Sequence, residues 1–199
     1  MTHYMTSVTA AFMLLAAPAL AAPPVAEVQA GRYRVDPAHT QIIFSVLHMG
    51  FTHYSGMFSG ISGTLQLDPA HPSAARLTVS VPIGSLQTTS DRLTGELKDA
   101  DWFDAGRYPD ATFPSTSVVP AGVNGAAITG NLTLHGVTRP VVLQARYVGA
   151  GVNPLDRAYT VGFEATATLR RSDFGVTAYM PMLGDTVTLT IAGAFEKRD

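Results

Sequence analysis

From Tyr33 to Glu196, hydrophobic and polar residues alternate in runs that turn residues cut apart. In the last run Val187, Leu189 and Ile191 fall on one side and Thr186, Thr188 and Thr190 on the other, the period of two of a half-buried strand. Ile42, Phe44, Val46 and His48 likewise share a face opposite Ile43, Ser45 and Leu47. Met57, Ile61, Leu65 and Leu67 oppose Phe58, Ser62, Thr64 and Gln66, and Leu77, Val79, Val81 and Ile83 oppose Thr78 and Ser80. Ile128, Leu132 and Leu134 stand against Thr129, Asn131 and Thr133, and Phe163, Ala165, Ala167 and Leu169 against Glu164, Thr166 and Thr168. With further strands near 111–119, 137–148 and 185–196 there are about eight, the number that closes a small antiparallel barrel. The fold class predicted is all-β.

Turn chemistry supports these cuts. Asp68-Pro69-Ala70-His71-Pro72 interrupts the pattern, and Asn124-Gly125 suits a hairpin turn with positive φ. Between Thr88 and Gly106 the alternation stops. Leu93 and Leu97 stand four apart behind a capping residue at Ser90, which predicts a short helical excursion between the third and fourth strands, packed at one end of the barrel with Trp102 and Phe103 after it. Ala165, Ala167 and Gly193 are too small to fill a lumen, and an eight-stranded interior holds either side chains or one small ligand. A ligand cavity is the expectation, with filling by Phe44, Tyr147 and Phe163 as the alternative.

Composition narrows the setting. The chain has 199 residues, 46% hydrophobic and 14% charged, enough for one sizeable core and too few for two. A formal net charge of −2 without a basic run leaves no footprint for nucleic acid. Val8 to Ala22 is apolar and ends in an A-x-A pattern, Ala19-Leu20-Ala21, so residues 1–22 read as a cleaved signal peptide, although Met1 to Ser7 lacks Lys and Arg. Residues 23–30 read as a linker and 31–199 as the barrel domain. There is no cysteine, which removes disulfides, thiolate metal sites and a cysteine nucleophile.

Histidine is the first candidate for chemistry, since His39, His48 and His53 fall within fifteen residues. Their spacing matches no ligand pattern, and no carboxylate cluster accompanies them, so His48 is expected to be an inward residue that packs or orients a headgroup, with His39 nearby. His135 sits at a tight turn. No Gly-x-Ser-x-Gly elbow, phosphate loop or dinucleotide fingerprint occurs, so nothing specifies an enzyme, a resident metal or a cofactor. Arg170 and Arg171 differ in parity, so one faces the barrel mouth and one faces out. Arg170 is assigned to the mouth, where a guanidinium would meet an anionic or carbonyl headgroup.

Several segments in order resemble the YceI-like family. They are Tyr33-Arg34-Val35-Asp36-Pro37-Ala38-His39-Thr40, Ile43-Phe44-Ser45-Val46-Leu47-His48-Met49-Gly50 and Gly56-Met57-Phe58-Ser59-Gly60-Ile61-Ser62-Gly63. Asp101-Trp102-Phe103-Asp104 with Tyr108-Pro109-Asp110-Ala111-Thr112-Phe113, the run from Gly130 to Val141 and Arg170-Arg171-Ser172-Asp173-Phe174-Gly175-Val176 complete the series. The resemblance implies an extended, lipocalin-like eight-stranded antiparallel barrel that carries a long polyisoprenoid, of the quinone or polyprenyl type, in its lumen. It also implies secretion to the periplasm, a homodimer and transient contact with a membrane or a lipid donor or acceptor protein. Leu93-Thr94-Gly95-Glu96-Leu97 departs from it, because many relatives carry His where this chain has Glu96. The residues expected to line the lumen or mouth are Ile42, Phe44, Val46, His48, His39, Phe163, Ala165, Arg170, Leu189 and Ile191. A lipid-modifying enzyme using lumen histidines and a stress-response interaction protein are the competing readings.

Overall fold

The computed structural model describes residues 28–198. The expected signal peptide, most of the expected linker and Asp199 lie outside them. Ten strand segments follow one another: β1 (Gly31–Val35), β2 (Gln41–His48), β3 (Thr52–Phe58), β4 (Ser62–Leu67), β5 (Arg76–Pro82), β6 (Asp110–Ala121), β7 (Gly125–Leu134), β8 (Val137–Val152), β9 (Tyr159–Arg170) and β10 (Leu183–Arg198). The helix α1 (Asp91–Glu96) stands between β5 and β6, and the Ser90 side chain accepts from the Leu93 amide as its cap, where the sequence placed the excursion.

The segments close as an antiparallel barrel of eight strands. β10 pairs with β9 along nearly its whole length and, on its other edge, with β2 through its first half and β1 through its second. β1 and β2 thus act as one bent strand, as do β3 and β4, and this is why ten segments make a ring of eight.

Both bends have identifiable causes. At Asp36–Thr40 the wall leaves the β10 ladder, and the buried Thr40 hydroxyl replaces it, donating to the Ala194 carbonyl at 3.2 Å and accepting from the Ala194 amide at 3.1 Å. Asp36-Pro37-Ala38-His39 forms an Asx turn there, its carboxylate accepting from the Ala38 amide at 2.9 Å. The same four residues recur at Asp68-Pro69-Ala70-His71, where Asp68 accepts from the Ala70 amide at 2.9 Å. The other bend is at Gly60, with φ of 63°. It reverses the alternation, so that Phe58 and Ile61 are both buried. A strict period of two had put Phe58 on the outer face with Met57 inside, and the left-handed residue corrects it.

Tight turns join neighbouring strands. Met49 and Gly50, in the loop between the paired His48 and Thr52, have φ of 50° and 76°, and His135 and Gly136, the two-residue loop between the paired Leu134 and Val137, have 51° and 75°, the paired positive values that suit hairpin turns. The β6–β7 loop takes its positive φ at Gly122, at 64°, and not at the Asn124-Gly125 pair named from sequence.

Inside, one end of the barrel is filled. Tyr33, Val35, Ile61, Leu65, Val161 and Phe195 are buried against one another, and Phe163 makes edge-on ring contacts with Phe195 and with Tyr147, each at 6.0 Å between centroids. A second cluster, Phe44, Phe58, Ile83, Leu86, Leu97, Trp102, Ala111 and Val176, gathers under α1 at the other end. Phe44 lies across Gly56 and Phe113 across Gly130, where any Cβ would come within 2.4 Å of the ring, so these glycines are seats for aromatic side chains.

The Thr40 hydroxyl gives the fold a single-atom test. Thr40→Val keeps the shape but leaves the Ala194 amide without its partner, so denaturant unfolding should show a loss of about 1–3 kcal/mol. Thr40→Ser should recover most of it, and equal stability of all three would show that the bend needs no hydroxyl.

Candidate functional site

The second cluster does not close on itself. Between β2, β10, α1 and the segment after β9 lies a cavity of about 360 Å³. Ile42, Val81, Leu132 and Leu189 line its inner part, Phe44, Val46, Phe58 and Ile83 its walls, and Leu93, Leu97, Trp102 and Phe103 the roof contributed by α1 and the chain beyond it. His48, Met49, Tyr54, Glu96 and Tyr179 stand at its rim. β3 has no neighbouring strand on its outer edge. It is tied to the roof by a two-way backbone pairing of Met57 with Gln87, at 2.9 Å each way.

Of the ten residues expected at the site, Ile42, Phe44, Val46, His48 and Leu189 line this cavity. The other five do not. Phe163, Ala165 and Ile191 belong to the filled end or the band next to it: Ile191 pairs with both Ile42 and Ala165, and Phe163 lies one inward position beyond Ala165. The small residues therefore serve close packing. Ala165 and Ala167 are 8% and 5% exposed, and a Cβ on Gly193 would stand 3.1 Å from the Phe195 ring. His39 is in the bend between β1 and β2, its side chain 70% exposed and bonded through Nδ1 to the Asp36 carboxylate, because the Asx turn directs it to solvent. Asp36 raises the His39 pKa above the ordinary imidazole value, first by this hydrogen bond and then by its charge. His48 ends β2 on the cavity side but is exposed, its ring 6.3 Å from that of Tyr54, so it is a rim residue and not a buried one.

Parity required one arginine of the pair to point in, and it is Arg171. Arg170 faces solvent and donates from Nε to Asp185 at 2.8 Å. Arg171 is 5% exposed and reaches the cavity, with its guanidinium carbon 5.9 Å from the Trp102 ring centroid. Burial lowers its pKa from the usual guanidinium value, yet an arginine stays charged at any working pH. Its donors go to backbone: Nε to Gly184 at 2.8 Å, Nη1 to Val176 at 2.9 Å and Nη2 to Leu183 at 3.0 Å. Those carbonyls lie in the stretch between β9 and β10 and at the start of β10, so the side chain holds the rim in place.

The rest of the Arg-Ser-Asp-Phe-Gly run completes this clamp. Residues Arg171–Phe174 make a 3₁₀ turn that ends at Gly175 with φ of 76°. Asp185 accepts from the Ser172 amide and hydroxyl, each at 2.9 Å. Burial alone would push the Asp185 carboxyl up, but these bonds and Arg170 outweigh it and hold the pKa below the ordinary value. The Phe174 carbonyl accepts from His135 Nδ1 at 3.1 Å, which joins the clamp to the β7–β8 hairpin. Among the described residues no group of three His, Asp or Glu side chains could hold a metal ion.

Sequence reasoning missed the roof. Trp102, Leu97 and Glu96 come from the one stretch without alternation, where periodicity assigns no inward face. A lone tryptophan behind a capped helical turn was the available signal.

A closed antiparallel eight-stranded barrel with an apolar cavity at one end defines a barrel of the lipocalin-like class. The chain belongs to the YceI-like family, whose domain matches residues 33–195. It is 34% identical over 168 residues to a UPF0312 protein of Ectopseudomonas mendocina, covering 83% of this chain and 87% of the relative. The crystal structure of Burkholderia cenocepacia BcnA superposes with a TM-score of 0.73 at 25% identity, over 80% of this chain and 98% of that one. A polyisoprenoid binding domain from Saccharophagus degradans, 15% identical, shares the fold with a TM-score of 0.66, over 85% of this chain and all 100% of its own.

The Asp185 cluster carries a pH dependence whose sign is set. Because folding lowers this pKa, its stabilisation is fully present above the unfolded carboxylate value of about 3.9 and is lost as pH falls through the lower folded value. Asp185→Asn should melt at a lower temperature than wild type at neutral pH. The gap should narrow toward pH 2, and a gap independent of pH would contradict the assignment.

Proposed function

We propose that this chain is a periplasmic carrier or store for an isoprenoid lipid of the quinone or polyprenyl type, its tail held in the mouth cavity. The observation that carries the reading is the cavity itself, which is apolar on its inner part, walls and roof, with its polar groups gathered at one rim. Removing each CH₂-sized group from water contributes about 0.8 kcal/mol, so a tail supplies affinity without any covalent step. The polyisoprenoid binding named for the S. degradans domain supports the choice of lipid. The reading needs no cofactor and makes the protein a binding protein and not an enzyme.

Phe51, Met182, Tyr179 and Met49 are exposed on the turns around the mouth, at 83%, 59%, 56% and 47%. An apolar rim of this kind suits transient contact with a bilayer or with a lipid-exchanging protein. Residues 1–22 serve in this reading as an export signal, so the periplasmic protein should begin at Ala22 or Pro23 by N-terminal sequencing. Intact Met1 in a membrane pellet would instead make the segment an anchor.

Trp102 is the single tryptophan of the chain and lines the cavity, so it reports occupancy directly. A prenylquinone should quench its emission saturably, and mass spectrometry of an organic extract of the purified protein should find an isoprenoid. Val46→Phe should weaken binding at least about tenfold while the protein stays folded, since displacing two CH₂-sized groups costs about 1.6 kcal/mol. An extract without lipid, together with no quenching, would leave the barrel a filled scaffold.

A further inference from the structure

We propose that the aromatic plug formed by Phe163, Phe195, Tyr147 and Tyr33 is a length gauge that limits the lumen to a tail of roughly three isoprene units. The inference rests on the isoprenoid reading above and specifies which lipids of that class this barrel accommodates.

The cavity stops abruptly. None of the buried residues of the filled end lines it, whereas Ile42 and Val81 line it and also pack against that end, so they form its floor. Cross-strand pairing places the plug directly beyond. Ile42 pairs with Ile191 and Ile191 with Ala165, and the next inward row is Gly193, Phe163 and Tyr147. That row is closely packed: Phe163 contacts Tyr147 on one side and Phe195 on the other, while a Cβ at Gly193 would stand 3.1 Å from the Phe195 ring. Tyr33, with no exposed surface, closes the end, its hydroxyl donating to the Gln29 carbonyl.

Volume converts this floor into a tail length. A dry cavity of about 150 Å³ accepts the six carbons of benzene, or about 25 Å³ per carbon. At that packing the 360 Å³ here holds about fourteen carbons, close to three five-carbon units. Carbons beyond that number stay outside the lumen and add no burial there. A forty-carbon tail would leave most of its length exposed at the rim.

The test is a series of quinones sharing one headgroup and carrying two, three, four or eight isoprene units. Each is presented from the same detergent micelle and read by displacement of an apolar naphthylamine probe from the full chain, and its affinity is referred to water through that quinone's own micelle–water partition coefficient. Affinity should rise at least about tenfold from two to three units and then stay level within about threefold through eight. Phe195→Ala and Phe163→Ala should each move the plateau to four units. Phe195→Leu makes the smaller opening that secures the comparison if an alanine variant fails to fold. An affinity that keeps climbing to eight units in the wild type, or a plateau unmoved in a folded variant, would overturn the gauge and leave the isoprenoid site standing. Failure of every homologue to displace the probe would overturn the isoprenoid reading and the gauge with it.

Discussion

Everything in this barrel depends on the backbone ladder of β10. It is the only strand of the ring among the described residues that pairs with three others, holding β9 along one edge and β2 and β1 in succession along the other. Among the described residues closure leaves only the outer edge of β3 without a strand partner, and it fixes the interior width, so that eight strands leave space that side chains or a ligand must fill. The molecule does both, at opposite ends. Where β10 meets β1, aromatic residues fill the interior. Where it meets β2, the roof that includes Trp102 leaves a cavity.

The alternation of Ile42, Phe44 and Val46 with Ile43, Ser45 and Leu47 was enough to place β2 and its cavity face, because a strand in a ladder has one inward parity. Parity failed only where the backbone leaves the β region. Gly60 turned Phe58 inward, and the Asx turn at Asp36 took His39 out to solvent. Depth was not legible at all. Ala165 and Leu189 have the same inward sense, yet one lies in close packing and the other in the cavity, because residues distant in sequence decide which level of the barrel is full. The Phe113 ring fills the space over Gly130 on the neighbouring strand, and no local pattern links an absent side chain to the ring that replaces it.

The two arginines show how little separates a surface residue from a structural one. Both carry the same charge and adjacent numbers. Arg170 forms an exposed ion pair, of small value in water. Arg171 is drawn out of water, a heavy cost that is offset only because three backbone carbonyls at 176, 183 and 184 accept from it. Those carbonyls need donors as much as the guanidinium needs acceptors, since the chain between β9 and β10 leaves the ladder there. The rim of the cavity is thus built from polar groups that satisfy one another.

That mutual satisfaction bears on what such a site can distinguish. Among the described residues no buried side-chain nitrogen or oxygen lacks a hydrogen-bond partner, so only the N–H groups of Arg171 beyond its three backbone bonds are left in the cavity to meet a headgroup. Strong chemical discrimination arises when a missing ligand group strands a buried polar atom, and here every buried side-chain nitrogen and oxygen keeps a protein partner whatever the ligand carries. The polar groups at the opening, His48 and Glu96, stand at the rim, where water competes for them. What remains is shape. An apolar pocket with a hard floor reads how many carbons fit above that floor, and the packing of Phe163 against Phe195 sets where the floor lies.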